Sequence, residues 1–168
     1  IDNLKSVEAN KFVLISSSEI YGRHKSCNEN SKLIKKDISN YGVNRLNLEK
    51  FVERNFENSH IIRLPIVYGK NFSKNFIYDL INNNNIYQLN GNDYVQIYNV
   101  SNLKNDINFV LRNNIEKINI SSKPVYVKDI GKRFFKINLK RKKSPRIINM
   151  KSIHGKFKGY FMNSKKSN

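Results

Sequence analysis

The chain has 168 residues, a formal net charge of +18 at pH 7 and 39% hydrophobic residues. This length suits one domain with a single core, and no apolar run approaches the roughly 18 residues of a membrane-spanning helix. Cys27 is alone, which excludes an internal disulfide framework and favours a cytoplasmic location. The three histidines lack cysteine partners at metal-ligand spacing, so no metal site is predicted.

The hydrophobic pattern predicts strands and helices that alternate along the chain. After a helix tail over residues 1–10, strands are expected near 12–17, 60–65, 94–98 and 117–121. Helices are expected near 41–57, 74–83, 101–113 and 126–136, and a short strand near 145–150. This alternation favours an α/β fold built on a parallel sheet.

The first predicted strand ends in three serines. Phe12 to Ile15 is a continuous apolar run, typical of a parallel strand buried on both faces. Ser16, Ser17 and Ser18 follow, and Glu19 comes next. Since open α/β sheets bind ligands beyond the carboxyl ends of their strands, a ligand site is predicted at these residues.

The next predicted helix carries a tyrosine and an arginine four residues apart. Asn40 is the predicted N-cap, so Tyr41 and Arg45 fall on one face of the helix. A phenol beside a fixed positive charge suits acid/base chemistry. Two structural alternatives remain open: Tyr41 is an ordinary surface residue, or Arg45 is a solvated partner of Glu49.

These patterns resemble the extended short-chain dehydrogenase/reductase family, the NAD(P)-dependent sugar epimerases, dehydratases and reductases. Ser17, four residues before Tyr21, matches the family's catalytic Ser/Thr position. Tyr41 to Arg45 matches its Tyr-x-x-x-Lys motif, with arginine in place of lysine. Further matches occur in the family's order at Ile61–Gly69, Gln96–Leu103 and Ile118–Val125.

The resemblance implies a site and a mechanism. Tyr41 would act as the acid/base, assisted by Ser17 and Arg45, on a sugar or nucleotide-sugar substrate. NAD or NADP would be bound by Ser16, Tyr41, Arg45, Leu64, Pro65 and Val67, and the substrate by Ser18, Glu19 and Ile66. The implied enzyme is an epimerase or reductase of surface polysaccharide biosynthesis, and the intact protein is expected to be capable of forming a homodimer.

The family's glycine-rich cofactor turn has no counterpart, because the seven glycines form no G-x-G-x-x-G pattern. The chain therefore resembles the C-terminal part of a Rossmann-type doubly wound sheet with a small substrate-binding lobe. Residues 1–139 are expected to hold a partial NAD(P)-binding domain with interleaved lobe segments, and residues 140–168 a basic segment of the lobe. On this interpretation the chain as given is inactive.

Most of the excess positive charge lies after Lys123, and the densest cluster is Lys140 to Lys143. With Phe157, Tyr160 and Phe161 interleaved, this tail offers an alternative function as a non-catalytic module that binds nucleic acid or another polyanion. The region contains no recognisable nucleic-acid motif, and lysine, asparagine and isoleucine are abundant throughout the chain. Nucleic acid is therefore not the expected partner.

Overall fold

The computed structural model describes residues 2–22 and 26–154. The aromatic residues of the basic tail, Phe157, Tyr160 and Phe161, lie outside the described residues. Within the described part, no helix combines the length and the apolar character needed to cross a bilayer.

Strands and α-helices alternate as the sequence predicts. The strands are β1 (Phe12–Ser17), β2 (Ser59–Leu64), β3 (Ile66–Tyr68), β4 (Tyr94–Val95), β5 (Ile97–Asn99), β6 (Lys117–Asn119) and β7 (Val125–Tyr126). The helices are α1 (Asn40–Asn55), α2 (Phe76–Ile81), α3 (Leu103–Arg112) and α4 (Val127–Phe135). Short 3₁₀ turns include Asp2–Leu4, Ser18–Tyr21 and Ile86–Gln88.

A three-stranded parallel sheet in the order β1-β2-β6 forms the centre of the fold. Phe12 lies opposite Ser59, and Ile61 opposite Lys117. Strands β3 and β5 form a second parallel pair, whereas β4 and β7 pair antiparallel. The predicted α/β class and parallel sheet are confirmed, and among the described strands β1 stands at the edge of the central sheet.

Both faces of the central sheet are covered by helices. On one face, Leu14 and Ile61 pack with Val52 and Phe56 from α1 and the residue after it. On the other face, Ile62 and Ile118 pack with Val110 of α3. Successive strand residues point to opposite faces, which is why β1 and β2 are apolar at consecutive positions. Each fully buried Leu, Ile or Val contributes about 1.5–3 kcal/mol.

Three sequence predictions of secondary structure are wrong. The predicted helix tail at residues 1–10 is a single 3₁₀ turn, Asp2–Leu4. The predicted strand at 94–98 is two strands in different sheets, because Gln96 turns inward between them. The predicted strand at 145–150 forms two isolated bridges instead, from Ile147 to Tyr94 and from Met150 to Cys27.

The segment after residue 145 is tied back to the interior of the molecule. Met150 and Ile148 pack with Ile20, Tyr21 and Leu46 in a separate apolar cluster. This cluster joins the turn after β1, helix α1 and the late segment, and so fixes the surroundings of the β1 end.

The buried Gln96 amide anchors the same segment. Its Oε1 accepts a hydrogen bond from Met150 N at 2.7 Å, and its Nε2 donates to Met150 O at 2.9 Å. Nε2 also lies 3.1 Å from Ser121 Oγ. The side chain that interrupts the predicted strand therefore holds two distant parts of the chain together.

Candidate functional site

A cleft of about 290 Å³ opens at the carboxyl ends of β1 and β2. The residues after β1 form one side of it and the residues after β2 the other, because parallel strands end at the same edge of a sheet. Six of the predicted site residues line it together, namely Ser17, Ser18, Glu19, Pro65, Ile66 and Val67. Phe72, Lys74 and Asn75 complete the lining.

The three serines at the end of β1 have different environments. Ser17 caps the 3₁₀ turn Ser18–Tyr21, and its Oγ accepts a hydrogen bond from Glu19 N at 3.2 Å. Ser16 and Ser18 are buried, and Ser16 Oγ has no hydrogen-bond partner among the described residues. The half-buried Ser17 lines the cleft and is the hydroxyl best placed to meet a ligand there.

Tyr41 and Arg45 are in contact at the start of α1, as their spacing predicts. Arg45 Nε donates a hydrogen bond to Tyr41 Oη at 3.1 Å, and the guanidinium carbon lies 5.4 Å from the ring centroid. Tyr41 is 51% exposed, so the phenol is accessible. Neither residue belongs to the lining of the cleft. The alternative partner, Glu49, is buried and bound by Arg63, so it is not the partner of Arg45.

Gly42 brings the start of α1 against the turn after β1. A Cβ at Gly42 would collide with the Glu19 carbonyl oxygen and with the side chain of Ile38. The N-cap is Ser39, whose Oγ accepts a hydrogen bond from Gly42 N at 3.2 Å, and not the predicted Asn40. Tyr41 therefore directly precedes Gly42, the residue at which the backbone of α1 contacts the turn after β1.

Three of the predicted cofactor-binding positions, Ser16, Leu64 and Pro65, are less available than the sequence suggests, because they are buried. Ser16 is 5% exposed and does not line the cleft. Leu64 is 2% exposed and packs in the α3-side core, so its side chain does not line the cleft. Pro65, the next residue, is buried but reaches the cleft wall. The apolar wall of the cleft is thus formed by Pro65, Ile66 and Val67.

An ion pair joins the cleft to the late segment of the chain. The Glu19 carboxylate contacts the guanidinium of Arg146, and partial burial lowers the pKa of Arg146 from its ordinary value. Arg146 N also donates to Asp93 Oδ1 at 2.9 Å. A second cleft of about 280 Å³ continues from this point, and it shares Ile66 and Asn75 with the first.

A buried polar network beneath the site is not predicted by the sequence. Arg63 Nε and Nη2 bind the two Glu49 oxygens at 3.1 and 2.8 Å. Arg63 Nη1 donates to Tyr21 Oη at 2.7 Å, and Tyr21 Oη donates to Asn119 Oδ1 at 2.9 Å. The one sequence signal is an arginine that interrupts the apolar run of β2. The network links β2 to α1, β6 and the turn after β1.

The pKa values within this network follow from burial and pairing. Burial raises the pKa of Tyr21, although the nearby Arg63 charge acts in the opposite direction. Burial alone would lower the pKa of Arg63, but its hydrogen bonds to Glu49 and Tyr21 raise it overall. Arg63 therefore stays charged, and the Tyr21 phenol stays protonated.

Comparison with known proteins gives a family match over most of the chain. The model of the NAD dependent epimerase/dehydratase family matches residues 1–110. A search of curated protein sequences found no match.

Solved structures with the same fold include sugar-nucleotide enzymes. The chain is similar to a dTDP-4-dehydrorhamnose reductase from Clostridium acetobutylicum (17% identity, TM-score 0.66), covering 83% of this chain and 56% of that one. It is also similar to the Bacillus anthracis dTDP-4-dehydrorhamnose reductase, solved with NADP (19%, TM-score 0.62, 85% and 51%). A third is a UDP-glucuronic acid 4-epimerase from Bacillus cereus, solved with NAD and a UDP-sugar (18%, TM-score 0.66, 98% and 56%).

The chain thus spans about half the length of these three structures. Their likeness extends the agreement in fold beyond the residues that the family model matches. With a match over residues 1–110 of the 168, the chain belongs to the NAD dependent epimerase/dehydratase family.

Proposed function

We propose that this chain supplies the acid/base and substrate side of an NAD(P)-dependent epimerase or reductase that acts on a nucleotide sugar. The observation that carries the proposal is the arrangement of Ser17, Tyr41 and Arg45. Ser17 lines the cleft, and the contact between Gly42 and Glu19 holds the Tyr41–Arg45 pair against the same turn. Family membership supports the reaction class.

The residues of the cleft fit the nicotinamide end of a dinucleotide, whereas the chain offers no counterpart for its pyrophosphate. Pro65 and Val67 offer an apolar wall suited to a flat nicotinamide ring, with the Ser17 hydroxyl beside it. No glycine-rich turn for the pyrophosphate occurs in the sequence. Bound NAD or NADP would accept or supply hydride. Tyr41 and Arg45 would contact the cofactor from the α1 side.

In the proposed mechanism, Tyr41 exchanges a proton with the sugar oxygen at which oxidation or reduction occurs. Ser17 donates a hydrogen bond to the same oxygen and orients it. Arg45 keeps a fixed positive charge and a hydrogen-bond donor at the Tyr41 oxygen, where negative charge would develop during the proton transfer. Arginine replaces the lysine of the family motif, and its fork directs hydrogen bonds differently from an ammonium group.

The residues that line the cleft also bear on whether the reaction is a reduction, an epimerisation or a dehydration. Glu19 is the single carboxylate among the described residues that line the cleft, and its contact with Arg146 competes with a role in the elimination of water. Ser18 and Ile66 would contact the sugar. These features favour a reductase or epimerase over a dehydratase. The proposed place in surface polysaccharide synthesis rests on the resemblance of the sequence motifs to this family.

An assay with nucleotide sugars tests this function. An active form of the enzyme is supplied with dTDP-4-dehydrorhamnose and NADPH, and separately with UDP-sugars and NAD. Net consumption of NADPH identifies a reductase, whereas sugar isomerisation without net cofactor change identifies an epimerase. Ser17→Ala should lower turnover about a hundredfold, within the range of general acid/base assistance, while exposed Ser6→Ala should not. Full activity of Ser17→Ala would show that the Ser17 hydroxyl in the cleft takes no part in the mechanism.

A further inference from the structure

A third concave site lies apart from the two clefts and shares no lining residue with them. It is a groove of about 350 Å³ between α4 and the segment immediately after that helix. Its lining consists of Lys128, Asp129, Lys132, Asn138, Leu139 and Arg141. This set, which we call the anion groove, contains three cations and one carboxylate.

The two walls of the anion groove are held in fixed positions. Ile137 N donates to Gly131 O at 3.0 Å, and a Cβ at Gly131 would lie 3.2 Å from Leu139 Cδ1. Gly91 N donates to Lys140 O at 2.9 Å. Close packing at Gly131 therefore sets the spacing between α4 and the opposite wall. Gly91 joins the two walls, because its carbonyl oxygen also accepts a hydrogen bond from Lys128 N at 3.1 Å.

Lys142, which follows Arg141 in the segment after α4, has a structural role. Lys142 Nζ donates to the carbonyl oxygens of Tyr87 and Gln88 at 2.8 and 2.9 Å. Its backbone N donates to Asn90 Oδ1 at 2.9 Å. Lys142 thereby anchors the wall, and Arg141 is the adjacent cation that lines the groove.

The positive charges of the anion groove repel one another, and one of them is placed unfavourably for the stability of α4. Lys128 and Lys132 are four residues apart on α4, where like charges repel. Lys128 also lies in the first turn, where the helix dipole favours negative charge. Arg141 adds a third positive charge from the other wall. An anion bound between the walls would offset the repulsion among these three charges.

The volume and the polar lining of the anion groove indicate which class of anion it can bind. The volume of about 350 Å³ falls within the range of small-molecule sites, roughly 300–1,000 Å³. Arginine and lysine together are the usual ligands of a phosphate group. Asp129 would repel a second anionic group but would accept hydrogen bonds from hydroxyls, and the Asn138 amide can do both. We propose that the anion groove binds a phosphorylated sugar.

This inference does not rest on the proposed catalytic function. The full 168-residue chain is titrated with glucose 6-phosphate by NMR at low ionic strength. We expect saturable shifts at residues 128–141, and no response to glucose at the same concentrations. Inorganic phosphate should bind more weakly than glucose 6-phosphate, because it has no sugar hydroxyls that could reach Asp129 while the phosphate contacts the cations.

Matched variants separate the anion groove from the overall charge. Replacing Lys128, Lys132 and Arg141 by Gln should weaken binding of glucose 6-phosphate by at least about tenfold. The control replaces Lys11, Lys50 and Lys104 by Gln, which removes the same charge at exposed positions elsewhere, and should bind as the wild type does. Asp129→Asn should reduce the preference for glucose 6-phosphate over inorganic phosphate.

Three results would overturn the proposal. One is equal loss of binding in the two triple variants, which would indicate a general charge effect. Another is an absence of saturable binding by the wild type. The third is tighter binding of a single-stranded oligonucleotide through Lys128, Lys132 and Arg141, with a steep dependence on salt concentration. That outcome would assign these residues to a nucleic-acid surface instead.

Discussion

Tyr41 is the residue whose chemistry is most directly testable. Its phenol is exposed and accepts a hydrogen bond from Arg45. In an active form of the enzyme, Tyr41→Phe should lower kcat by about a hundredfold to ten-thousandfold, because general acid/base catalysis contributes that much. Cofactor affinity should change little. Steady-state kinetics checks this, with Tyr87→Phe as a control for an exposed tyrosine far along the chain. Turnover within a fewfold of wild type would exclude Tyr41 as the acid/base.

Arg45 tests whether a positive charge beside the phenol matters. Arg45→Lys keeps the charge and should remain active, whereas Arg45→Met removes the charge and the Nε donor. The Met variant should therefore lose at least about tenfold in kcat. Equal kcat values for Arg45→Met and wild type in steady-state kinetics would show that Arg45 does not act on the tyrosine.

Cys27 predicts a pH dependence of folding stability. Burial raises the pKa of the Cys27 thiol from 9.0 to about 12. Below pH 9.0 the thiol is protonated in both the folded and the unfolded chain, so it adds no pH dependence there. Between pH 9.0 and 12 the unfolded chain loses this proton first, so stability falls as pH rises. The slope from this group approaches ~1.4 kcal/mol per pH unit.

Denaturant unfolding at several pH values measures this effect. The free energy of unfolding should fall less steeply above pH 9.0 in Cys27→Ala than in wild type. The comparison between the two proteins cancels the titration of lysines and tyrosines that they share. Parallel pH dependences would show that the thiol ionises equally in both states.

At the scale of elements, the contact between α1 and the turn after β1 depends on one glycine. Gly42→Ala places a methyl group against the Glu19 carbonyl and Ile38. Overpacking of this kind costs about 1–3 kcal/mol, so the urea midpoint should fall. Asn44→Ala, at an exposed position of the same helix, provides the control. Unchanged stability in Gly42→Ala would mean that α1 and the turn can separate without cost.

The central elements are predictable because their signals are local. β1 is an apolar run that ends in serine, β2 is largely apolar and is followed by Pro65, and Tyr41 and Arg45 follow helical spacing. These patterns bring six of the predicted site residues to one cleft, and their functional roles stay predictions. Asn40 is the wrong cap because both it and Ser39 are good capping residues, and only the backbone geometry distinguishes them.

The unpredicted features depend on contacts between distant residues. Gln96 interrupts a strand because its amide binds Met150, 54 residues away in sequence. Arg63 is buried in a parallel strand because Glu49 and Tyr21 satisfy its donors. No period or propensity in one segment contains this information, since a buried polar residue is stable only with its partners.

At the scale of the whole molecule, the lack of a glycine-rich turn predicts weak cofactor binding. The 168-residue chain should show no binding of NAD or NADP at micromolar concentrations, because the pyrophosphate contacts of such folds come from that turn. The edge of β1 should also promote self-association, since it presents unpaired backbone groups. Calorimetric titration and light scattering measure the two effects. A monodisperse monomer with micromolar affinity would contradict both.

The ion pair between Glu19 and Arg146 connects the turn after β1 with the segment that borders the second cleft. The two side chains are 28% and 44% exposed, so dissolved ions can screen their attraction. A pair of this kind contributes about 0–1 kcal/mol, far less than the apolar clusters on either side. A rise in ionic strength should therefore weaken this contact between the two clefts under conditions in which the fold itself remains intact.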